Sequence, residues 1–487
     1  MNISKSHNSG AANNVPSYED IIRHITLKLD RQKRPVYQEL ASVITEEILS
    51  NRIVAGRKLP PYRTLSWKLN LAPETVQRAY RALERQCLIV GYVGDGSYVL
   101  RTDRHKNHRF RNAPAVINPA ANLSQASVID LSRNQSLLSD KKSMWRGFTD
   151  LSQIDDNTLF YLLNYTDEQG LLSHREAGVR WLSFVGAEAK PDQIICINGS
   201  QHGLQLILNA LLQPHDTIAV DEYTYPGLLS LAKRFQINII PVAMDNKGLC
   251  PNDLSQKFKQ YRFSAIFVMP TLHNPTNIHM PAERRDEISH FCERHKLIII
   301  EDETQGILCP ENTGAFFDRL PNQTIILSSV SKALSSGLRV GYMAVPRRMI
   351  STFKNMIQET CWMATPLVHE LAKRGIMSGY AQDCLAISRV EILRRKAFLN
   401  DVMGDVTYFT QSYSPHYWIE ITAKTKDTEM VAALEEKGIK TSPSSQFCGR
   451  AIQQRYFIRT CVTAYCSDEA LIKAYGEIKK YLSPGAH

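Results

Sequence analysis

The chain has 487 residues, of which 43% are hydrophobic and 22% charged, a balance typical of a soluble globular protein and not of a disordered one. That length is too great for one compact core, so two or three domains are expected. The sequence holds no apolar run near the roughly 20 residues of a membrane-spanning helix, and Met1–Pro16 is too polar for a signal peptide. The 10 cysteines are scattered without a Cys-x-x-Cys pair, which predicts reduced thiols in a cytoplasm and no zinc site.

Most of the net positive charge lies in the first quarter of the chain. The whole chain has 58 Lys and Arg against 48 Asp and Glu, a net charge of +10, whereas Met1–Asn112 has 19 against 10, which gives +9. Charge concentrated in this way predicts a module that binds a polyanion, attached to a nearly neutral remainder. A solvated basic face is the alternative that charge alone leaves open.

Helical periodicity begins after Pro35, where apolar residues recur on one face: Val36, Leu40, Val43, Ile44 and Ile48. A short helix is predicted at about Tyr62–Leu69 and, after a break, a second one from Glu74 to Arg85. Two helices joined by a tight turn predict a helix-turn-helix, whose second helix enters the major groove of DNA. The glycine-rich stretch Leu88–Leu100 is predicted to be a hairpin that can serve as a wing.

Four motifs stand in register here: Pro35-Val-Tyr37, Leu59-Pro-Pro-Tyr-Arg63-Thr-Leu65, Thr75-Val-Gln-Arg-Ala-Tyr80-Arg-Ala-Leu83 and Gly94-Asp-Gly96-Ser-Tyr-Val99. Together they resemble the winged-helix domain of GntR-type bacterial regulators. Two departures are Ala55-Gly56 in place of Pro-Gly and Tyr62 in place of a small residue. The resemblance implies that double-stranded DNA lies against Arg63, Thr75, Gln77, Arg78 and the wing residue Gly96. For Arg81 and Arg85, solvation or pairing with Glu84 is favoured over a DNA contact.

The next segment, from Arg101 to Ser127, has basic residues at its start, then prolines and small residues, and no hydrophobic period. This composition predicts an extended tether. We therefore divide the chain into an N-terminal arm at 1–34, a winged helix-turn-helix at 35–102, a linker at 103–127 and a large domain at 128–487.

The large domain alternates helical segments with short apolar strands, which predicts an α/β architecture with a largely parallel sheet and ligand groups at the strand ends. The predicted strands are Gln193–Asn198, Thr217–Val220, Ile237–Pro241, Ala265–Met269, Leu297–Ile300 and Thr324–Leu327.

Polar and aromatic residues follow several of these strands. Gly199-Ser200-Gln201 opens a helix whose N-terminus can hold a phosphate, and Tyr225 can stack on a flat ring. Asn274 can hydrogen-bond a ring hydroxyl, Asp302 can pair with a ring nitrogen, and Arg459 can bind a carboxylate. Each has a structural alternative when taken alone: a cap, a core aromatic, a turn, a surface acid or a surface ion pair.

The segment from Ile325 to Gly341 carries the most information. An apolar strand leads to Ser329, Ser331 and Lys332, and Arg339 follows seven residues after the lysine. A lysine at the end of a buried strand tends to have a lowered pKa and becomes a usable amine nucleophile. That is the requirement for a Schiff-base lysine that holds pyridoxal phosphate.

In this order the motifs resemble the fold type I aminotransferases, from about Ile129 to Leu482. The resemblance implies pyridoxal 5′-phosphate bound covalently to Lys332, in a large α/β domain with a smaller C-terminal α+β subdomain. The implied roles are phosphate binding by Gly199, Ser200, Gln201, Ser329 and Arg339, ring stacking by Tyr225, contacts to the ring oxygen and nitrogen by Asn274 and Asp302, and carboxylate binding by Arg459.

One departure concerns a tyrosine that the aminotransferases place two or three residues after the aspartate, where this chain has Thr304 and Gln305. With fewer donors, the ring oxygen keeps more negative charge, and the linkage to Lys332 should hold its proton to higher pH. That property suits a ligand sensor better than a fast transaminase.

A GntR-type winged helix tethered to an aminotransferase-like domain resembles the MocR subfamily of bacterial regulators. The resemblance implies a cytoplasmic homodimer that senses pyridoxal phosphate or a small amino compound and changes its DNA affinity. One alternative is a catalytically active aminotransferase, and another is a DNA-binding protein whose large domain serves only for dimerisation. The effector, the operator and the direction of regulation stay open at this point.

Overall fold

A computed structural model describes residues 18–30, 32, 34–50, 52–54, 57–85, 88–92, 96–99, 128–137, 149–311, 313–421, 425–449 and 455–482. The chain divides into two compact units, Met1–Pro119 and Ala120–His487. The predicted linker and the tip of the predicted wing lie outside the described residues. Within the described ranges, every helix is too short or too polar to cross a bilayer.

The first unit consists of helices and one antiparallel hairpin: α1 (Tyr18–Lys28), α2 (Val36–Leu49), α3 (Tyr62–Leu69), α4 (Pro73–Arg85), β1 (Ile89–Tyr92) and β2 (Gly96–Val99). Its core contains fully buried residues from each helix, among them Ile25, Leu40, Leu65 and Val76. Between α3 and α4, Asn70 adopts a left-handed conformation with φ of 51°, which ends α3 and allows the tight turn.

Helix α1 lies within the segment predicted as an N-terminal arm. Its Ile21 and Ile25 belong to the same core as the winged helix. Lys28 at its end lies 3.1 Å from the carboxylate of Glu47, a buried residue of α2 that also accepts a hydrogen bond from Arg52 at 2.9 Å. These contacts join α1 to the helix-turn-helix as one packed body.

The second unit contains most of the secondary structure. Its strands are β3 (Ile129–Asp130), β4 (Ile194–Ile197), β5 (Thr217–Asp221), β6 (Asn238–Val242), β7 (Met244–Asp245), β8 (Gly248–Leu249), β9 (Ala265–Val268), β10 (Ile298–Asp302), β11 (Thr324–Ser329), β12 (Gly341–Ala344), β13 (Tyr408–Phe409), β14 (His416–Ile421), β15 (Ile439–Lys440), β16 (Ser442–Pro443) and β17 (Tyr456–Cys461). Its helices are α5 (Asp156–Leu162), α6 (Leu172–Ser183), α7 (Ser200–Leu211), α8 (Pro226–Arg234), α9 (Pro251–Tyr261), α10 (Ala282–His295), α11 (Phe316–Arg319), α12 (Ile350–Cys361), α13 (Pro366–Met377), α14 (Tyr380–Met403), α15 (Asp427–Glu436) and α16 (Asp468–Leu482).

A seven-stranded sheet in the order β4-β12-β11-β10-β9-β5-β6 forms the centre of this unit. Strands β11, β10, β9, β5 and β6 run parallel to one another, and β12 runs antiparallel to both of its neighbours. The strands are mostly apolar and, apart from the edge strand β6, almost wholly buried, as expected for a sheet covered on both faces. Their parallel direction brings the residues that follow β9, β10 and β11 to one edge, where ligands bind in such sheets.

A second sheet, with antiparallel order β13-β14-β17-β16, carries Arg459 on β17. The short strand β3 pairs in parallel with β15, so the chain enters this unit beside the second sheet.

Beneath the edge of the large sheet, Arg285 of α10 lies among buried carboxylates. Its guanidinium is 3.8 Å from Glu301 and 3.5 Å from Glu303, and it donates to the hydroxyl of Thr271 at 2.9 Å. Burial raises the pKa of both glutamates, and Arg285 opposes that rise. The arginine therefore compensates charge that the interior would otherwise disfavour.

Replacing Arg285 with alanine should lower the free energy of unfolding of this unit by about 3–5 kcal/mol, because it leaves the buried glutamates uncompensated. Urea denaturation followed by tryptophan fluorescence measures the change. The neighbouring Arg284→Ala should cost less, since the side chain of its partner Asp245 is 42% exposed and can be solvated. Equal losses in the two variants would contradict this account.

Candidate functional site

A cavity of about 410 Å³ opens at the carboxyl edge of the large sheet. Residues of β10, of β17 and of the loops after β9 and β11 line this cavity. These elements are far apart in the sequence. Its lining includes these residues predicted from sequence: Ser200, Tyr225, Asn274, Asp302, Lys332, Arg339 and Arg459. The sequence therefore predicted a set of side chains that the fold brings together.

Lys332 stands just beyond β11, in the short 3₁₀ turn Val330–Lys332. Its Nζ donates a hydrogen bond to the backbone oxygen of Asn134 at 2.6 Å. Burial lowers the pKa of Lys332 to about 8, and the positive charge of Arg459 adds to this effect. A much larger fraction of this amine than of a free lysine is therefore neutral near physiological pH, and only the neutral amine is nucleophilic.

Asp302 is the last residue of β10, Asn274 lies in the loop after the neighbouring strand β9, and both are buried. Asp302 Oδ1 accepts a hydrogen bond from the backbone N–H of Thr304 at 2.9 Å. Burial raises the pKa of Asp302, while its hydrogen bonds with Thr304 hold that pKa down. The Asn274 side-chain oxygen accepts from Arg459, which leaves the amide nitrogen as its donor.

An anion-binding arrangement lies at the N-terminus of α7. Gly199 precedes this helix with φ of 84°, and a Cβ placed there would lie 2.6 Å from Nη2 of Arg339. The guanidinium is thus packed against the start of the helix, where backbone N–H groups and the helix dipole favour an anion. Arg339 also reaches the Ser331 hydroxyl at 3.4 Å.

Three of the predicted phosphate residues, Gly199, Gln201 and Ser329, are absent from the cavity lining. Ser329 is the last residue of β11 and is buried, whereas Ser331, beyond the strand end, lines the cavity. Gln201 donates to the backbone oxygen of Gly227 at 3.2 Å, and its own side-chain oxygen is buried with no partner in the described part of the chain. Their contact with a phosphate remains a prediction.

Arg459 is almost fully buried, with its guanidinium 4.9 Å from the centre of the Phe447 ring. Nη1 donates to Asn274 Oδ1 at 2.9 Å, and Nη2 donates to the backbone oxygen of Ser132. Nε has no hydrogen-bond partner among the described residues. A buried cation with a spare donor beside a cavity is suited to a carboxylate ligand.

Sequence reasoning missed part of the lining. Arg133, Asn134 and Gln135 border the cavity just after β3, and no local pattern marks them as ligand residues. Thr304 and Gln305, singled out as departures, do line it. The hydroxyl of Thr304 lies 2.6 Å from that of Ser200, and the Gln305 side-chain oxygen is buried with no hydrogen-bond partner in the ranges that the structure describes.

In the first unit, α4 has one buried and one exposed face. Val76, Ala79 and Leu83 are fully buried, whereas Gln77 and Arg78 are exposed and Thr75 is part-buried. Arg63 is exposed on α3, with Nε donating to the hydroxyl of Tyr62 at 3.2 Å. Gly96 begins β2 with φ of 127°, and a Cβ there would approach the flexible end of Lys58.

Two family models match the chain. Residues 126–478 match aminotransferase class I and II, and residues 36–99 match bacterial regulatory proteins of the gntR family. The first match alone spans more than half of the chain.

Two relatives align with most of this chain. The uncharacterized HTH-type transcriptional regulator YdeF of Bacillus subtilis is 25% identical over 89% of this chain and 91% of its own. The probable rhizopine catabolism regulatory protein MocR of Rhizobium meliloti is 23% identical over 77% of this chain and 78% of its own. The chain belongs to the MocR subfamily of GntR-type regulators.

Solved structures confirm the fold of the second unit of this MocR-type regulator. The kynurenine aminotransferase of Pyrococcus horikoshii superposes with a TM-score of 0.66 at 20% identity, over 80% of this chain and 98% of its own. The α-aminoadipate aminotransferase LysN of Thermus thermophilus superposes with a TM-score of 0.63 at 15% identity, over 74% and 94%. LysN was solved in complex with N-(5′-phosphopyridoxyl)-L-leucine.

Proposed function

We propose that this regulator binds pyridoxal phosphate through Lys332 and that an amino compound reaching the site changes DNA binding by its winged helix. The observation that carries the proposal is the meeting of an amine of lowered pKa, a buried carboxylate and an anion-binding helix end in one cavity. Pyridoxal phosphate has an aldehyde, a ring nitrogen and a phosphate that match these three groups.

The side chains present fit each part of that cofactor. Asp302, already oriented by Thr304, would pair with the ring nitrogen, and a cationic partner would offset the effect of burial on the carboxylate. The amide nitrogen of Asn274 would donate to the ring oxygen, and Tyr225 would lie against the ring. Arg339 and the start of α7 would hold the phosphate. When bound, the cofactor supplies an electron sink to an attached amino compound.

The environment of the ring oxygen favours a sensor. The Thr304 hydroxyl is hydrogen-bonded with that of Ser200, and the Thr304 backbone N–H donates to Asp302. The short side chain of Thr304 cannot replace a tyrosine phenol. The Gln305 side-chain oxygen is buried without a partner among the described residues, and as an acceptor it cannot stabilise a negative ring oxygen, so only the amide nitrogen of Gln305 is able to assist there. Asn274 is left as the main donor, so the site supports ligand capture better than rapid turnover.

For DNA, we propose that the exposed face of α4 enters the major groove. Gln77 and Arg78 extend from that face and can reach base edges, while Arg63 can contact the phosphate backbone. The predicted contacts of Thr75 and Gly96 belong to the same surface, since the helix start and the wing flank a bound duplex in winged helices.

We propose a homodimer that covers an exposed apolar cluster of the second unit. Phe160, Leu163 and Tyr165 are more than two-thirds exposed, and the Tyr165 ring lies 5.7 Å from the half-exposed ring of Trp362. A concentration of large exposed apolar side chains is typical of an interface. A second copy of the chain is the proposed occupant, because a two-fold regulator presents two winged helices to two half-sites.

The rate at which the protein captures pyridoxal phosphate tests the cofactor proposal. The visible band should appear faster as the pH rises and should level off above about 8, where Lys332 is mostly neutral. Stopped-flow absorbance over a pH range that brackets this value measures it. A free lysine side chain, with its ordinary pKa of 10.5, is the control and should show no plateau there.

Two results would change the assignment. A protein that stays colourless in excess pyridoxal phosphate would contradict the proposed cofactor. Transamination at ordinary enzyme rates, without salt-dependent DNA affinity, would favour the catalytically active aminotransferase instead.

A further inference from the structure

The cavity of the candidate site has an excess of positive charge. Its described lining contains four basic side chains, Arg133, Lys332, Arg339 and Arg459, and one acidic side chain, Asp302. With a volume of about 410 Å³, the cavity is at the small end of ligand sites in proteins. A compact ligand with more than one negative charge therefore complements this cavity.

Four of these five side chains already have a role in the proposed function. Lys332 would bind the aldehyde carbon of pyridoxal phosphate, Arg339 its phosphate and Asp302 its ring nitrogen. Arg459 would bind the carboxylate of an amino compound. Arg133 is the charged side chain for which neither the cofactor nor a ligand with a single carboxylate supplies a partner.

The contacts of Arg133 fix the base of its side chain and leave the terminal nitrogens available. Oδ2 of Asp130, in β3, lies 3.3 Å from Nε of Arg133, and Oδ1 of Asp130 accepts from the N–H of Ser132 at 3.0 Å. Because Asp130 approaches Nε, the nitrogens Nη1 and Nη2 are left to bind a carboxylate in a bidentate manner. The Arg133 side chain is 77% exposed, and an exposed pair of this kind contributes little to stability, so a ligand can share the arginine at small cost.

Further hydrogen-bond donors lie beside Arg133. The side-chain oxygen of Asn134 accepts from the hydroxyl of Thr463 at 3.2 Å, and the side-chain nitrogen is buried with no partner among the described residues. A buried donor without a partner at the wall of a cavity is suited to a polar ligand atom. Arg459 donates to the backbone oxygen of Ser132, the residue bonded to Arg133. The two arginines therefore meet at one wall of the cavity.

We infer that the amino compound sensed by this regulator carries a second carboxylate, which Arg133 binds while Arg459 binds the first. The inference rests on the proposed function, because it assigns the other charged side chains to pyridoxal phosphate and to the first carboxylate. Compact aminodicarboxylic acids, such as L-glutamate and L-aspartate, have the required chemistry. L-Glutamine has the shape of L-glutamate but lacks the second charge.

Binding of L-glutamate and L-glutamine to the full-length protein loaded with pyridoxal phosphate tests the inference. The change in the visible spectrum gives a dissociation constant for each amino acid, and isothermal titration calorimetry measures it independently. Wild type should bind L-glutamate about tenfold more tightly than L-glutamine, the effect of one charge-assisted interaction. Because Arg133 is largely exposed, this preference should decrease as the salt concentration rises.

Substitutions at Arg133 assign the preference to this side chain. Arg133→Ala should reduce the preference for L-glutamate to less than about twofold. Arg133→Lys keeps the charge without the planar fork and should retain part of the preference. Arg347→Ala is the matched control, because it removes an arginine that is 59% exposed, paired with Asp192 and outside the described cavity lining. It should leave the preference unchanged.

The possible results separate the inference from the proposed function. Equal affinities of wild type for the two amino acids, or an equal loss of both in Arg133→Ala, would overturn the inference alone, since Arg133 would then bind no group that distinguishes them. Loss of the visible band in Arg133→Ala would assign Arg133 to the cofactor and also overturn the inference. A wild-type protein that responds to no amino compound would contradict the proposed function itself.

Discussion

Replacing Lys332 with alanine should abolish the visible absorption that pyridoxal phosphate gives with the wild-type protein and should remove the response of DNA binding to the cofactor. The reason is that Lys332 supplies the amine that lines the cavity with a pKa lowered to about 8. DNA affinity itself should remain, since the winged helix has its own core in a separate unit. Absorbance and fluorescence anisotropy on the same preparation measure the two effects.

The matched control is Lys233→Ala, which removes an exposed lysine from α8 in the same unit. It should keep both the band and the DNA response. A Lys332→Ala protein that retains the band would mean that another amine captures the aldehyde. A loss of the band together with the loss of all DNA binding would indicate unfolding, which the far-ultraviolet circular dichroism of the variant distinguishes.

Local patterns predicted the first unit well where local chemistry decides the structure. The predicted helix Tyr62–Leu69 has the observed bounds, because prolines precede it and Asn70 can adopt the left-handed conformation that ends it. Helix α1 was missed, although Ile21, Ile22 and Ile25 have helical spacing. The recognisable motifs begin at Pro35, and contacts across the domain core decide that the preceding residues belong to it.

The candidate site shows where sequence reasoning ends. Asn274 and Asp302 were predicted together because residues that follow parallel strands meet at one edge of a sheet. Ser331 lines the cavity and Ser329 does not, because β11 ends at Ser329. The apolar run in the sequence does not specify that end point. Ser132 and Arg459 are 327 positions apart, so only the closed fold reveals that one holds the other.

Replacing Arg78 with alanine should weaken binding to the specific operator by about 1–3 kcal/mol and reduce the preference for it over unrelated DNA. Replacing Arg63 with alanine should instead weaken binding to both kinds of DNA and lower the slope of affinity against salt by about one unit. Anisotropy titrations with the DNA that flanks the gene and with an unrelated duplex, each at several salt concentrations, separate the two patterns. Arg23→Ala, which removes an exposed arginine of α1, is the control.

The different effects of Arg78→Ala and Arg63→Ala on DNA binding can be interpreted because neither side chain is buried in the core of the first unit. Arg78 lies on the face of α4 opposite the buried Val76, Ala79 and Leu83, so its truncation leaves the packing of that helix unchanged. The guanidinium of the exposed Arg63 lies 5.8 Å from the centre of the part-buried Tyr62 ring, so Arg63 contacts the edge of the core without being buried in it. A loss of affinity in either variant therefore reports a lost DNA contact. Equal losses on both duplexes for Arg78→Ala would mean that Arg78 binds phosphate and that bases are read elsewhere on α4 or by the wing.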